Sequence, residues 1–167
     1  MVFRRSMHLA AILLVVIYPQ KFHAQGNSVF SNYEYTVTDD GTFGLYKPKA
    51  WNVGTQKYPN GRMVYVSDPK DISYVSIILL EKIDPKNNSV TFACGTLTNL
   101  SKQMSDLKIL QANSSRDRMH TMVKYQRSGL KNIPIEGRYC FNVKHPTAVV
   151  FGYEAPKKQF KEMIPTL

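Results

Sequence analysis

The chain has 167 residues, 43% of them hydrophobic and 20% charged, a composition of folded rather than disordered protein. With 22 Lys and Arg against 12 Asp and Glu it is basic, with a formal net charge of +10. The length excludes two full-sized domains, and two cysteines exclude a disulfide-rich scaffold.

Arg4 and Arg5 form a positive leader, and Leu9–Tyr18 (LAAILLVVIY) is an apolar run too short to span a bilayer as a helix. Pro19 ends it. Small residues at Ala24 and Gly26 place the expected signal-peptidase cut before Asn27; a cut after Ala24 would leave bulky Phe22 at the third-last position. Residues 1–26 therefore read as a signal peptide and 27–167 as a single domain, periplasmic or extracellular, with no transmembrane helix in the mature chain. The arginine pair resembles a twin-arginine signal, but the very apolar core favours the general secretory route. No cysteine lies near the cut to carry a lipid anchor.

Loss of the leader lowers the net charge to about +7. The densest basic run is Arg116-Asp117-Arg118, followed by Lys124, Arg127 and Lys131. Such charge reads as a solvated surface, or as attraction to an anionic membrane surface or an envelope protein; an exported chain is not expected to meet nucleic acid.

In chain order, Tyr33–Thr38 and Thr42–Tyr46 read as strands of a hairpin around Asp39-Asp40-Gly41. Trp51–Gln56 is extended. The turn Tyr58-Pro59-Asn60-Gly61, with Asn-Gly expected to supply positive φ, leads to the strand Arg62–Ser67. Ser73–Ile83 is the most apolar strand outside the leader, expected to be central and covered on both faces. From Thr91 to Leu107 the period changes: Phe92, Leu97, Leu100, Met104 and Leu107 recur at three- and four-residue spacing, the mark of an amphipathic helix, weakened by Gly95. Strands resume at Lys108–Ser114, Met119–Arg127, Ile135–Val143 and Thr147–Glu154, the last two joined by Lys144-His145-Pro146. After Pro156 a second helix begins, with Phe160, Met163 and Ile164 toward the sheet. The sequence stops at Leu167 with apolar residues still accumulating, so this helix is expected to be truncated.

The run Phe43-Gly44-Leu45-Tyr46-Lys47-Pro48-Lys49-Ala50-Trp51 resembles the opening motif of PsbP-like domains, a superfamily that takes in Mog-type proteins and periplasmic DcrB-like bacterial members. The order of elements agrees over nearly all of the mature chain. The resemblance implies an α+β fold: an antiparallel sheet of six to seven strands with helices packed on it, an α/β/α sandwich. It implies a binding or assembly protein and carries over no catalytic residue. In physical terms, Pro48 cannot donate to a ladder and ends its strand, and Trp51, the single tryptophan, swings back to bury its ring at the sheet edge. Phe43, Pro48 and Trp51 thus form a structural motif.

Other chemistry is thin. Cys94 and Cys140 either form a disulfide, worth roughly 3 to 4 kcal/mol, or pack as buried thiols. His120 and His145 have no carboxylate or cysteine at metal-ligand spacing, so no metal or cofactor is expected. A nucleophilic pair of either cysteine with His120 has no motif behind it. Glu34, Asp39, Asp40, Asp68, Asp71 and Asp84 fall at turns or strand ends. Three glycosylation sequons begin at Asn87, Asn99 and Asn113, which read as chance in a bacterial-style export protein. The expected function is a non-catalytic binding or assembly module of the cell envelope. The alternatives are a small-ligand or lipid-binding protein, with Tyr125, Tyr139, Phe141, Phe151 and Tyr153 lining a groove instead of filling a core, and an enzyme with cross-strand catalytic residues.

Overall fold

The computed structural model describes residues 15–16, 32–69, 73–129 and 132–163, with backbone only at 15–16 and 161–163. The remainder of the signal segment, Asp71 and Ile164 lie outside the described residues. The elements are β1 (Val15–Val16), β2 (Tyr33–Val37), β3 (Gly44–Pro48), β4 (Asn52–Tyr58), β5 (Gly61–Ser67), β6 (Tyr74–Glu81), α1 (Ser89–Gln103), β7 (Lys108–Ser114), β8 (His120–Ser128), β9 (Pro134–Lys144), β10 (Thr147–Pro156) and α2 (Lys157–Met163). Seven strands form one antiparallel sheet in the order β4-β5-β6-β10-β9-β8-β7, and β1-β3-β2 form a small second sheet.

Turn chemistry sets the hairpins. Between β2 and β3, Gly41 takes φ +69, which a side chain would disfavour. Asp40 caps this turn: its Oδ1 accepts from Thr38 Oγ1 at 2.8 Å and from the Thr42 amide at 3.0 Å. Arg62 on β5 reaches the same carboxylate at 3.4 Å and donates to the Thr42 hydroxyl, fastening the small sheet to the large one. The β4–β5 turn departs from expectation. Tyr58 pairs with Gly61, leaving Pro59-Asn60 as the turn, and neither Asn60 nor Gly61 has positive φ. Proline at the first central position, with its fixed φ, takes the place of the Asn-Gly device.

α1 begins two residues before the sequence period suggests. Asn88 Oδ1 accepts from the Val90 and Thr91 amides at 3.0 and 3.1 Å, while Thr91 Oγ1 accepts from the Asn88 amide at 2.9 Å. This reciprocal box satisfies three donors and fixes the start. The helix ends at Gln103, so Met104 is its C-cap and Leu107 packs from beyond it.

Strand alternation sorts the core into two layers. Val123, Tyr125, Tyr139, Phe141 and Val150 point to one face, where Ala93, Phe92, Leu97 and Leu100 of α1 meet them. Val64, Val66 and Ile77 point to the other, where Phe43 and Leu45 of the small sheet cover them. α2 lies on this second face, with Phe160 buried and stacked on Tyr153 at 5.2 Å. Burial of one such ring contributes about 2 kcal/mol.

α1 covers only half of its face, and connectivity explains why. It carries the chain from β6, third in the sheet, to β7 at the far edge. Fifteen residues of helix span about 22 Å, the width of those four strand intervals. β4 turns into β5 at Pro59-Asn60, β5 pairs antiparallel with β6, and no described element crosses that face. β6 is therefore internal but not sealed on both sides, contrary to the sequence expectation: Tyr74 and Ile78 are only half-buried.

Candidate functional site

The open half of the sheet has a built relief. Cross-strand pairs bring Gly54 opposite Tyr65, Tyr65 opposite Ser76, Ser76 opposite Gly152, and Gly152 opposite Tyr139. These residues form one row across four adjacent antiparallel ladders. Tyr65 lies down over Gly54 and Tyr139 lies down over Gly152; a Cβ at Gly152 would stand 2.6 Å from the Tyr139 ring. Glycines shielded by cross-strand aromatic rings are a known device of β-sheets. Because Tyr65 leans away from it, Ser76 becomes the floor of a hollow of about 340 Å³. Met63, Ser67, Tyr74 and Ile78 complete its lining with Tyr65 and Tyr139. No charged side chain is among them.

Behind the hollow lies a buried polar network. Tyr74 and Tyr139 hydroxyls meet at 3.3 Å. Tyr125 donates its hydroxyl to Glu154, which is 1% exposed, and Arg127 donates to the same carboxylate through Nε at 3.1 and 3.2 Å and through Nη2. Burial alone would lower the Arg127 guanidinium, but the Glu154 hydrogen bond and charge carry it above its ordinary value. Desolvation, helped by the neighbouring phenols and Glu154, pushes the Tyr74 and Tyr125 phenols far up; burial also raises Tyr139. All three stay neutral hydrogen-bonding groups at ordinary pH.

A second buried carboxylate sits on the other face. Glu136, 3% exposed, pairs with Lys124 at 3.0 Å and with Lys157 of α2 at 3.7 Å. The basic run of the sequence is thus divided. Lys124 and Arg127 serve buried carboxylates on opposite faces, while Arg116 and Arg118 are exposed in the β7–β8 turn.

The residues singled out from sequence fall elsewhere. Phe43 is buried in the core, Pro48 ends β3, and Trp51 is half-buried against the same cluster as Val53 and Leu79. Cys94 and Cys140 are free thiols, which corrects the disulfide option. Cys94 is exposed on α1; Cys140 alternates with the helix-facing Tyr139 and Phe141, so it points to the opposite face and the sheet lies between the two sulfurs. His120 Nδ1 stands 2.8 Å from Asn142 Oδ1 on that opposite face, and His145 is exposed in the β9–β10 turn. Cys140 shares that face with His120, one diagonal step along the β8–β9 ladder, but the imidazole bonds to Asn142; Cys94 lies across the sheet. Among the described residues no group of three or more His, Cys, Asp or Glu is placed to hold a metal. The aromatic set divides: Tyr125 and Phe141 fill the core under α1, Tyr139 lines the hollow, Tyr153 stacks on Phe160, and Phe151 is exposed.

Tyr65, Tyr74, Ser76, Glu136 and Glu154, and the buried pairing of Arg127, escaped the sequence reading. A period-two count was available for some of them. Ala148, Val150, Gly152 and Glu154 share a face, as do Val123, Tyr125 and Arg127, which puts a carboxylate and a guanidinium among inward residues.

Searches by sequence find no matching family model and no matching curated protein. Solved structures do match. The solution structure of cyanobacterial PsbP (CyanoP) from Synechocystis sp. PCC 6803 superposes with a TM-score of 0.54 at 11% identity, covering 83% of this chain and 88% of that one. The fold is PsbP-like. The α+β architecture, with its seven-stranded antiparallel sheet, is the one the opening motif implies. A protein of unknown function from Pseudomonas aeruginosa, PA94, described as a putative regulator, matches at a TM-score of 0.40 and 12% identity over 81% of this chain and 98% of that one, too low to carry an argument. At 11% identity the PsbP-like fold is what is shared. Among the described residues no helix is long and apolar enough to cross a membrane.

Proposed function

We propose that this chain is an exported, non-catalytic binding or assembly module of the cell envelope, allied to the Mog-type and DcrB-like members of the PsbP-like group. The leader Arg4 to Gly26 supports export. The observation that carries the binding role is the open half of the sheet, where Tyr65 and Tyr74 are left half-exposed around a floor of Ser67 and Ser76. Aromatic rings with polar tips at the rim of a concave, largely apolar surface suit recognition. The buried Glu154 is already engaged by Arg127 and Tyr125, which makes it a support for the face.

The test is retention of partners from an envelope fraction on the immobilised chain, beside a Tyr65→Ala variant. A specific partner held by the wild type and lost by the variant is the expected result. Failure to retain any partner at low salt counts against the reading. A second reading, binding of a small ligand, is favoured by the hollow itself, whose volume is near the lower end for ligand pockets.

A further inference from the structure

We propose that the hollow over Ser76 is a binding site for one uncharged sugar ring of a glycan. This rests on the reading of the open tyrosine face as the binding surface and adds the ligand's chemical class.

The hollow is made by small residues at a position where the other half of the sheet is filled. Along one row, Val150 and Phe141 pack under α1; in the next, Ser76 and Gly152 stand side by side between Tyr65 and Tyr139. Ser76 is 4% exposed and Ser67 8%, so both hydroxyls lie deep, beneath a rim of half-exposed rings. Ser76 Oγ, a donor and acceptor both, points to the space that a Cβ at Gly152 would otherwise enter.

Three ligand classes meet this lining differently. A hydrocarbon chain would cover the hydroxyls of Ser67 and Ser76 without offering them a hydrogen-bond partner, while the Tyr74 and Tyr139 hydroxyls already meet each other. A charged ligand would find no opposite charge in the lining. The nearest carboxylate, Glu154, is 1% exposed and held by Arg127 and Tyr125, and the raised phenols of Tyr74 and Tyr139 remain uncharged. A neutral sugar ring presents C–H faces to tyrosine and hydroxyls to hydroxyls, and so satisfies both kinds of surface at once.

Amide NMR of the full chain, titrated with methyl glucoside, N,N′-diacetylchitobiose, glucuronate, glucosamine and hexanol, tests the assignment. At least one of the two neutral sugars is expected to shift the amides of Ser67, Ser76 and Gly152 saturably in the millimolar range, about tenfold more tightly than the two charged sugars or hexanol. Ser76→Phe, which fills the floor, abolishes the shifts. Should that variant fail to fold, Tyr65→Leu keeps the strand apolar and weakens binding by about tenfold through loss of the stacked ring. Saturable shifts from a charged sugar or hexanol of equal strength overturn the proposal. So does the absence of any shift at these amides with about 20 mM of both neutral sugars. If envelope partners are still retained through Tyr65 in that case, the ligand class fails while the binding role stands; if neither occurs, both fall.

Discussion

The phenol of Tyr125 on β8 reaches across the whole of β9 to the carboxylate of Glu154 on β10, and Gly137 is the residue it crosses. Gly137 is the register partner of both. A Cβ there would stand 2.7 Å from a ring carbon of Tyr125 and 2.5 Å from its hydroxyl. One missing side chain therefore connects the α1-covered core to the network behind the open face.

Gly137→Ala is expected to destabilise the chain by about 2 kcal/mol, since the ring must lift and its hydrogen bond to a buried carboxylate is lost. Gly95→Ala is the contrast. A Cβ at Gly95 meets nothing within 4 Å in a helical segment, so the change is expected to stabilise by about 0.5–1 kcal/mol. Urea unfolding of the two variants reads opposite signs; equal effects would remove the role given to Gly137.

Arg127→Leu leaves the Glu154 carboxylate buried beside a single phenol and is expected to cost about 3 kcal/mol. The double variant Arg127→Leu, Glu154→Leu removes the stranded charge as well and recovers a large part of that loss. Denaturant midpoints of the single and double variants decide it. If the double variant is no more stable than the single, Glu154 is not the group that Arg127 compensates.

Strong acid acts on the β2–β3 turn. Hydrogen bonds from Thr38 and the Thr42 amide, with the charge of Arg62, hold the Asp40 carboxyl at about 2, below its ordinary 3.8. A lowered folded value means that the stabilisation is present above pH 4 and is lost as pH falls through about 2. Asp40→Asn is expected to flatten the stability profile in that window by about 1 kcal/mol, a value reduced by solvent screening. A wild-type slope retained in the variant would assign the acid sensitivity elsewhere.

Alkali acts on the other face. Desolvation first, and neighbouring charge second, raise the Tyr125 and Tyr74 phenols, so their contribution is full below the ordinary phenol value of 10.0 and falls as pH rises beyond it. Phenolate absorbance of the folded chain is expected to stop short of all tyrosines until the chain unfolds. Full titration without loss of structure contradicts their burial.

The two thiols give a simple chemical check. Cys94 is exposed and is expected to react rapidly with a disulfide reagent; Cys140 is half-buried, burial pushes its thiol up, and it reacts slowly. Reductant is expected to leave the unfolding midpoint unchanged. A fall in the midpoint on reduction would restore the disulfide.

Much of the fold was legible residue by residue. Asp39-Asp40-Gly41 marks one hairpin and His145-Pro146 another, because turn residues act on their own backbone. Thr121, Val123 and Tyr125 alternate inward as their period requires; the helix start was missed by two residues, because the Asn88–Thr91 side-chain box sets it and the apolar period does not. The opening run Phe43 to Trp51 named the fold, and Phe43 and Trp51 do enter one core cluster.

What the sequence by itself determined was therefore local: which residues turn, which alternate, and where the helical period runs. Only the tertiary structure decided which strands are neighbours and which faces are covered. β10 pairs with β6 across the length of α1 and three strands, and that pairing makes β10 the centre of the sheet. The crossover then lays α1 over β8, β9 and the Val150 end of β10 and leaves Tyr65 and Tyr74 partly exposed above a buried Ser76. The same geometry puts the sheet between Cys94 and Cys140 and closes Arg127 on Glu154. The physical reason is range. Dihedral preference and capping act within a few residues, whereas coverage of a face depends on where a distant segment returns.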